Sequence, residues 1–219
     1  YAQVLADPGF WNAVRNTVLF VVLSVGGELL LGLGAALLLA RGFRFQSLWI
    51  SLMLAPYAVS PVVAVVMWKY MIEPDVGLIN YLLAQVGIHN PPWTFSPNLS
   101  FLLIVLIQIW TQMPFSFIIL YAAMMSVPTE LYEAATVDGA SGFQTFWNIT
   151  LPSIVPAMMV ALVFRVIFAI RAFDHIWVFN QGGPFGATEV LAIYLQNWGF
   201  RYWQFGLAAT TAVLMLLLT

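Results

Sequence analysis

Residues 126–156 read SVPTELYEAATVDGASGFQTFWNITLPSIVP and form a polar segment between two long apolar runs. Pro128 suits the first turn of a helix, and Thr129 can cap a helix start. Glu130 and Glu133 follow, where the positive end of the helix dipole favours acidic side chains. We therefore expect a short helix in the first half of the segment.

The second half of the segment predicts another short helix. Gly139 is expected to break the first helix, because glycine adopts the backbone angles that end helices. Ser141 and Gln144 have the spacing of a capping box, which begins a helix. Pro152 and Pro156 are expected to limit that helix before the next apolar run. The whole segment is thus predicted to be a compact helix–turn–helix outside the apolar runs.

The apolar runs on both sides of this segment indicate the fold class. Of the 219 residues, 62% are hydrophobic and 7% are charged, whereas soluble domains are about 25% charged. A soluble domain of this length would expose large apolar patches, but lipid solvates such surfaces. We therefore predict an all-α, polytopic membrane helix bundle. Five transmembrane spans are expected, at residues 16–40, 47–71, 100–125, 156–178 and from 204 to the end of the sequence.

The same composition argues against several other functions. The net charge is -2 and no basic run occurs, so a nucleic-acid partner is not expected. The sequence has no cysteine, no phosphate-binding glycine loop and no hydrolase motif, so we predict no catalytic site. His89 and His175 stand in different loops without carboxylates at ligand spacing, so no metal site is predicted. The chain is not expected to be an enzyme.

The polar segment resembles the EAA motif of binding-protein-dependent ABC transporter permeases. That motif reads Glu-Ala-Ala, three residues, Gly, nine residues, Ile, one residue and Leu-Pro, and it is far more specific than a short glycine-rich match. Asp138 and Ala140 complete the Asp-Gly-Ala sequence that is usual in sugar permeases. The matching motif residues are Glu133, Ala134, Ala135, Gly139, Ile149, Leu151 and Pro152.

A second resemblance lies further along the chain. Residues 172–178 read AFDHIWV and are followed by Gly-Gly-Pro at 182–184 and by Thr188. This pattern is similar to a stretch of the MalF/UgpA-type branch of carbohydrate importers, although Asn180 stands where threonine is usual. Members of that branch supply one of two unlike permease subunits for oligosaccharides, polyols or glycerol phosphate.

The resemblance implies a function, an orientation and the extent of the domain. The chain is expected to be one transmembrane subunit of an ATP-driven importer of sugars or related solutes, multi-pass in the bacterial cytoplasmic (inner) membrane. Residues 1–219 would form a single permease domain of the ABC type I importer kind, incomplete at both ends because the branch has at least six core helices. Residues 126–156, called the coupling loop below, would face the cytoplasm and dock on an ATPase.

The family also implies the partners. Two ATPase subunits would bind ATP and Mg, so this chain itself needs no cofactor. A second, unlike permease would complete the path, an extracytoplasmic solute-binding protein would deliver the solute, and membrane lipid would surround the spans. The residues expected to couple to the ATPase are Glu130, Glu133, Ala134, Ala135, Asp138, Gly139 and Ala140.

The route of the solute is predicted from broken helices and from polar side chains inside the spans. Prolines and buried polar groups mark such routes in transporters, although helix packing explains them nearly as well. The candidate path residues are Tyr57, Gln108, Gln112 and Phe173.

Two charged residues fall deep inside the spans. Glu28 and Arg165 each lie about 12 residues from the outer end of a span, which is about 18 Å below that face at 1.5 Å per residue. A lone charge there costs at least about 2.5 kcal/mol, so each is expected to find a partner. We predict an intramembrane ion pair, direct or through Gln112, that either holds two helices in register or takes part in gating. The alternative is that Arg165 faces the path and Glu28 bonds elsewhere, such as to the second permease.

An ion-coupled secondary transporter or a channel is the alternative function. Such a protein needs several intramembrane carboxylates or two inverted halves. Glu28 is the only carboxylate placed centrally in a predicted span, and the sequence has no evident internal repeat. The importer is therefore the favoured function.

Overall fold

The computed structural model describes residues 1–42, 44–89 and 91–218, and the described residues confirm the predicted all-α class. The α-helices, in chain order, are α1 (Ala2–Ala6), α2 (Pro8–Ala40), α3 (Gln46–Leu54), α4 (Pro61–Met71), α5 (Leu78–Gln85), α6 (Pro97–Met125), α7 (Thr129–Val137), α8 (Gly142–Thr145), α9 (Leu151–Ile170), α10 (Asp174–Asn180), α11 (Leu191–Gln196) and α12 (Phe205–Leu218). Short 3₁₀ turns occur at Ala55–Ala58 and Pro184–Gly186, and π turns at Phe146–Thr150 and Asn197–Arg201.

Within the described residues, three helical segments are long and apolar enough to cross a membrane. They are Pro8–Ala40, Pro97–Met125 and Gly142–Asn180, and the bent pair of Gln46–Ala58 with Pro61–Met71 makes a fourth if the pair counts as one span. Many large apolar side chains on these segments are exposed, for example Leu30 at 72%. Lipid is the solvent in which such a surface is stable.

The predicted count of five spans is not confirmed. The helix α12 has 14 residues, which is shorter than the roughly 20 helical residues that cross the hydrocarbon layer. The predicted second span, residues 47–71, is broken, because α3 with its 3₁₀ turn meets α4 at an angle of 99°. Pro56 and Pro61 flank the break and lack the N–H groups that a continuous helix needs, and Ser60 between them is extended at φ -56° and ψ 138°. Proline chemistry thus overrides the length of the apolar run.

The predicted fourth span, residues 156–178, also needs correction. The helix begins earlier, because α8 continues through the π turn Phe146–Thr150 into α9 without a stop at Pro152 or Pro156. A wider π turn leaves room for the ring of Pro152, which would clash with a carbonyl one turn back in a regular α-helix. The helix α9 then ends at Ile170, and α10 follows after a short break.

The described residues divide into two compact units. The first unit contains Tyr1–Ser24, Val59–Thr111 and the residues from Val166 onward, and the second contains Val25–Ala58 and Gln112–Arg165. The coupling loop and both intramembrane charges belong to the second unit. The single permease domain over residues 1–219 stays a prediction.

Each unit has its own buried core. In the second unit, a side chain at Gly32 on α2 would place its Cβ 3.0 Å from the backbone nitrogen of Phe117 and 3.1 Å from the Cβ of Ser116 on α6. Glycine therefore allows α2 to approach α6 this closely. Nearby core residues of the second unit are Ala36, Leu39, Phe117, Leu120 and Ile154. Core residues of the first unit are Val4, Phe10, Ala13, Leu191 and Tyr194.

Candidate functional site

The coupling loop opens with α7, which has nine residues. Pro128 occupies the N-cap position, so Thr129 begins the helix and does not cap it with its side chain. Gly139 follows the helix with φ +73°, in the left-handed region that favours glycine. The N–H of Ala140 donates to the carbonyl of Ala135 at 2.9 Å, which closes the helix end. The predicted helix break at Gly139 is therefore confirmed.

The second half of the coupling loop begins at the predicted capping box. The N–H of Ser141 donates to Oε1 of Gln144 at 2.7 Å, and the N–H of Gln144 donates to Oγ of Ser141 at 3.4 Å. These two bonds confirm the capping box. The hydroxyls of Tyr132 and Thr150 share a further hydrogen bond of 3.2 Å. The two halves of the loop are thus tied together, and the second half continues as helix into α9.

Most of the predicted coupling residues are exposed. Ala135 differs, because only 8% of it is exposed and the chain itself covers its methyl group. Ala140 is half-buried. The exposed members of the set are Glu130, Glu133, Ala134, Asp138 and Gly139. The loop therefore presents a surface of acidic and small residues, with Ala135 beneath it.

A cavity of about 730 Å³ lies behind the coupling loop. Tyr132 and Thr136 of α7, Phe143 of α8 and Arg41 at the end of α2 are among the residues that line it. Packing between α7 and the ends of α2 and α6 is therefore incomplete. A helix that is not close-packed on one side can shift with a smaller loss of contact than a core helix.

The second unit also brings the two predicted intramembrane charges together. Nε of Arg165 donates to Oε2 of Glu28 at 2.5 Å, and only 2% and 0% of the two side chains are exposed. Nη1 of Arg165 donates to Oε1 of Gln112 at 3.0 Å. The ion pair is direct, and Gln112 is a second acceptor for the same guanidinium rather than a bridge.

Three aromatic rings lie beside this ion pair. The guanidinium carbon of Arg165 is 5.8 Å from the ring centroid of Phe115. Phe115 stacks on Tyr57 at 6.3 Å between centroids and meets Phe164 edge-on at 6.4 Å. Tyr57 is 52% exposed and Phe164 is 48% exposed. The rings therefore run from the buried pair to the surface of the second unit.

Two of the predicted path residues, Tyr57 and Gln112, belong to this group of side chains. Gln108 and Phe173 lie in the first unit. Gln108 is buried, and its Oε1 atom has no hydrogen-bond partner among the described residues. Phe173 stacks on Trp177 at 5.4 Å between centroids.

Sequence reasoning missed Phe115 and Phe164. A signal was present for Phe115, because it follows Gln112 by three residues and residues at this spacing share a helix face. Phe164 is adjacent to Arg165 in the sequence, but neighbouring helix residues point in different directions, so no periodic pattern indicated it.

Hydrogen bonds fix the Gly-Gly-Pro segment of the first unit. Oγ1 of Thr188 donates to Oδ1 of Asn180 at 2.8 Å, so the residue that stands in place of the usual threonine closes this loop. Nδ2 of Asn16 donates to the carbonyls of Gly186 and Glu189 at 3.1 and 3.0 Å. Burial raises the pKa of the Glu189 carboxyl. The segment is therefore anchored on α2.

Known proteins resemble this chain over most of its length. Residues 28–219 match the family described as binding-protein-dependent transport system inner membrane component. The chain is 35% identical to the trehalose/maltose transport system permease protein MalF of Thermococcus litoralis, across 100% of this chain and 74% of that protein. It is 34% identical to the sn-glycerol-3-phosphate transport system permease protein UgpA of Agrobacterium fabrum, again across 100% of this chain and 74% of that protein.

The fold has a counterpart among solved structures. A chain in the crystal structure of a bacterial alginate ABC transporter, in complex with an alginate pentasaccharide-bound periplasmic protein, matches with a TM-score of 0.91. The match covers 99% of this chain and 76% of that chain at 24% identity. At this identity the similarity shows the fold, which is that of an ABC importer permease.

Proposed function

This chain belongs to the family of binding-protein-dependent transport system inner membrane components, and from that premise we propose how it works as the transmembrane subunit of an ABC importer. It is a multi-pass inner-membrane protein. The solute is a sugar or a related polyhydroxy compound, as the names of the trehalose/maltose and glycerol phosphate relatives suggest. The observation that carries the proposal is the exposed coupling loop with its complete EAA motif.

The coupling loop docks on an ATPase subunit through its acidic and small exposed residues. ATP and Mg are bound by that partner, so this chain holds no cofactor. Small residues such as Ala134 and Gly139 let another surface approach the backbone. Movement of the ATPase displaces α7, and the bond from Tyr132 to Thr150 and the continuous helix carry that movement into α9.

The solute path follows the aromatic and amide side chains of the second unit. Rings such as Tyr57 and Phe164 offer flat apolar faces to the C–H faces of a sugar, and the Gln112 amide offers a hydrogen bond to a hydroxyl group. The path is completed by a second permease, which we propose is an unlike chain. Gln108 and Phe173, which lie in the first unit, remain path candidates from the sequence alone.

A complete importer contains further subunits. Two ATPase subunits bind on the cytoplasmic side, and an extracytoplasmic binding protein delivers the solute on the other side. The alginate transporter, which was solved in complex with a periplasmic protein, supports the binding-protein part of this assembly. The coupling loop therefore faces the cytoplasm.

The importer function is tested by measuring whether ATP hydrolysis or an ion gradient drives uptake. We expect proteoliposomes that hold the whole complex to take up a sugar when ATP and the binding protein are supplied on opposite sides. A non-hydrolysable ATP analogue should give no uptake, and an ionophore that removes ion gradients should have no effect. Radiolabelled maltose, trehalose and glycerol 3-phosphate provide the measurement. Uptake that persists without ATP and stops with the ionophore would instead indicate an ion-coupled secondary transporter.

A further inference from the structure

The guanidinium group of Arg165 makes contacts in three directions. Its Nε atom binds the carboxylate of Glu28, its Nη1 atom binds the amide oxygen of Gln112, and it lies 5.8 Å from the ring of Phe115. The guanidinium is planar and rigid, so these contacts fix one another's positions. One buried side chain thus sets where Gln112 and Phe115 stand.

The backbone reinforces this arrangement. Gly32 lies four residues after Glu28 on α2, and Ser116 lies four residues after Gln112 on α6. A Cβ at Gly32 would be 3.1 Å from the Cβ of Ser116. A helix cannot slide at such a close approach without a clash. The ion pair of Glu28 and Arg165 therefore lies one helical turn from the point where close packing fixes the register of α2 and α6. A side chain bound to this pair is held in a fixed position.

Arg165 acts through Gln112 and does not reach the path itself. Its Nη2 atom is buried and has no hydrogen-bond partner among the described residues. The half-buried Gln112 has its oxygen occupied by Arg165, so its amide nitrogen is the end left to donate to a solute hydroxyl. Arg165 is in this sense a positioning residue.

The pair also sets the charge of the path. Glu28 balances the charge of Arg165 at hydrogen-bond distance, and the side chains around them, Gln112, Tyr57, Phe115 and Phe164, are uncharged. An anionic solute gains no net attraction from a balanced pair. Aromatic faces and an amide are instead suited to hydroxyl groups and C–H faces.

We infer that Glu28 and Arg165 are a charge-neutral positioning pair that holds the Gln112 amide at the solute path, and that the solute is an uncharged saccharide or polyol. The inference rests on the proposed function, and it distinguishes uncharged sugars and polyols from anionic solutes such as glycerol phosphate. The relatives named for trehalose/maltose and for glycerol phosphate are about equally similar to this chain, at 35% and 34% identity. Their names alone therefore do not select the class.

The local charge can be measured without knowing the solute. The sequence has no cysteine, so Tyr57→Cys adds a single thiol to this chain next to Phe115. We compare its reaction rates with a cationic and an anionic methanethiosulfonate reagent of similar size, in the complete importer in nanodiscs. Val86→Cys, at the exposed residue that directly follows α5 in the first unit, corrects for the intrinsic reactivity of the reagents.

Glu28→Gln should raise the rate of the anionic reagent and lower that of the cationic reagent at position 57 by about tenfold each, because an unbalanced unit charge about 10 Å away acts through an effective dielectric constant of about 20. The anionic-to-cationic rate ratio should therefore rise about a hundredfold. The double variant Glu28→Gln with Arg165→Gln should return the ratio to its original value, which should match that at Val86→Cys. If Glu28→Gln does not assemble, Gln112→Glu should lower the ratio by a similar factor while keeping an oxygen for Arg165. An unchanged ratio in Glu28→Gln, or in Gln112→Glu where that variant replaces it, would overturn the neutral pair.

The positioning of the Gln112 amide is tested by the amount of maltose transported for each ATP hydrolysed. The double variant keeps the charge balance but loses the fixed amide, so maltose moved for each ATP hydrolysed should fall about three- to tenfold, the usual range for one hydrogen bond. A purely structural pair would lower ATP hydrolysis and transport together or leave both unchanged. Among maltose, trehalose and glycerol 3-phosphate, uptake of a neutral sugar supports the inference. ATP-driven uptake of glycerol 3-phosphate alone would overturn it while leaving the importer function intact.

Discussion

Gly139→Asp should abolish uptake, with a loss of at least about thirtyfold, while the permease still inserts and assembles. Among the described residues, and apart from the two neighbours of Gly139 in the chain, a Cβ at Gly139 would meet no atom within 4 Å, so we expect the substitution to leave the packing inside the permease intact. The side chain points instead into the surface proposed to meet the ATPase, close in sequence to Glu133 and Asp138. Loss of a central contact in an interface typically costs about 2 kcal/mol or more, which is the basis of the thirtyfold estimate. Uptake by reconstituted complexes measures the effect.

Gly139→Asn is the matched control for this variant. Gly139 has φ +73°, and both Asn and Asp tolerate left-handed angles better than other side chains. Asn therefore carries the same backbone cost and nearly the same volume without the added charge. We expect Gly139→Asn to retain more uptake than Gly139→Asp. Normal uptake and normal copurification with the ATPase in the Asp variant would show that this surface does not couple.

Reversing either charge of the buried pair should strongly reduce the folded yield. Glu28→Arg or Arg165→Glu places two like charges at a site where 0% and 2% of the native side chains are exposed. Breaking a buried pair costs about 3 to 5 kcal/mol, and like charges add to that cost. The double swap Glu28→Arg with Arg165→Glu should recover part of the yield. Recovery should be partial, because the Gln112 oxygen then faces a carboxylate in place of a donor.

Glu130→Arg is the control variant, because it reverses a charge in the same way at an exposed site instead of a buried one. Glu130 is exposed on the coupling loop, where a surface charge contributes little to stability. Its folded yield should match the wild type in detergent size-exclusion profiles. If both single reversals at Glu28 and Arg165 also gave normal yield, the pair would have no part in holding the second unit together.

Sequence chemistry predicted the local features of the coupling loop well. The break at Gly139 and the capping box of Ser141 and Gln144 depend on neighbours in the chain, so residue identity alone specifies them. The pair of Glu28 and Arg165 followed from a different constraint, because charges at equal depth in lipid have few available partners. These predictions did not require knowledge of helix packing.

Features that depend on packing were harder to predict. A run of apolar residues at 47–71 has the length of a span, but its composition does not reveal the 99° bend at Pro56 and Pro61. The continuation of helix past Pro152 depends on a π turn that no residue pattern indicates. The grouping of Phe115 and Phe164 with Tyr57 depends on how three helical segments meet. The burial of Ala135 within an otherwise exposed loop also depends on how neighbouring segments pack, which the sequence pattern does not reveal.

Contact between the coupling loop and the ATPase is the central claim, and site-specific photo-cross-linking tests it most directly. A photoreactive amino acid replaces Glu133 on α7 in the assembled importer, and the same residue at Tyr81, exposed on α5, serves as the control. We expect irradiation to link the ATPase subunit to position 133 and not to position 81. A complex that retains ATP-driven uptake but links its ATPase at position 81, or never at position 133, would contradict the account.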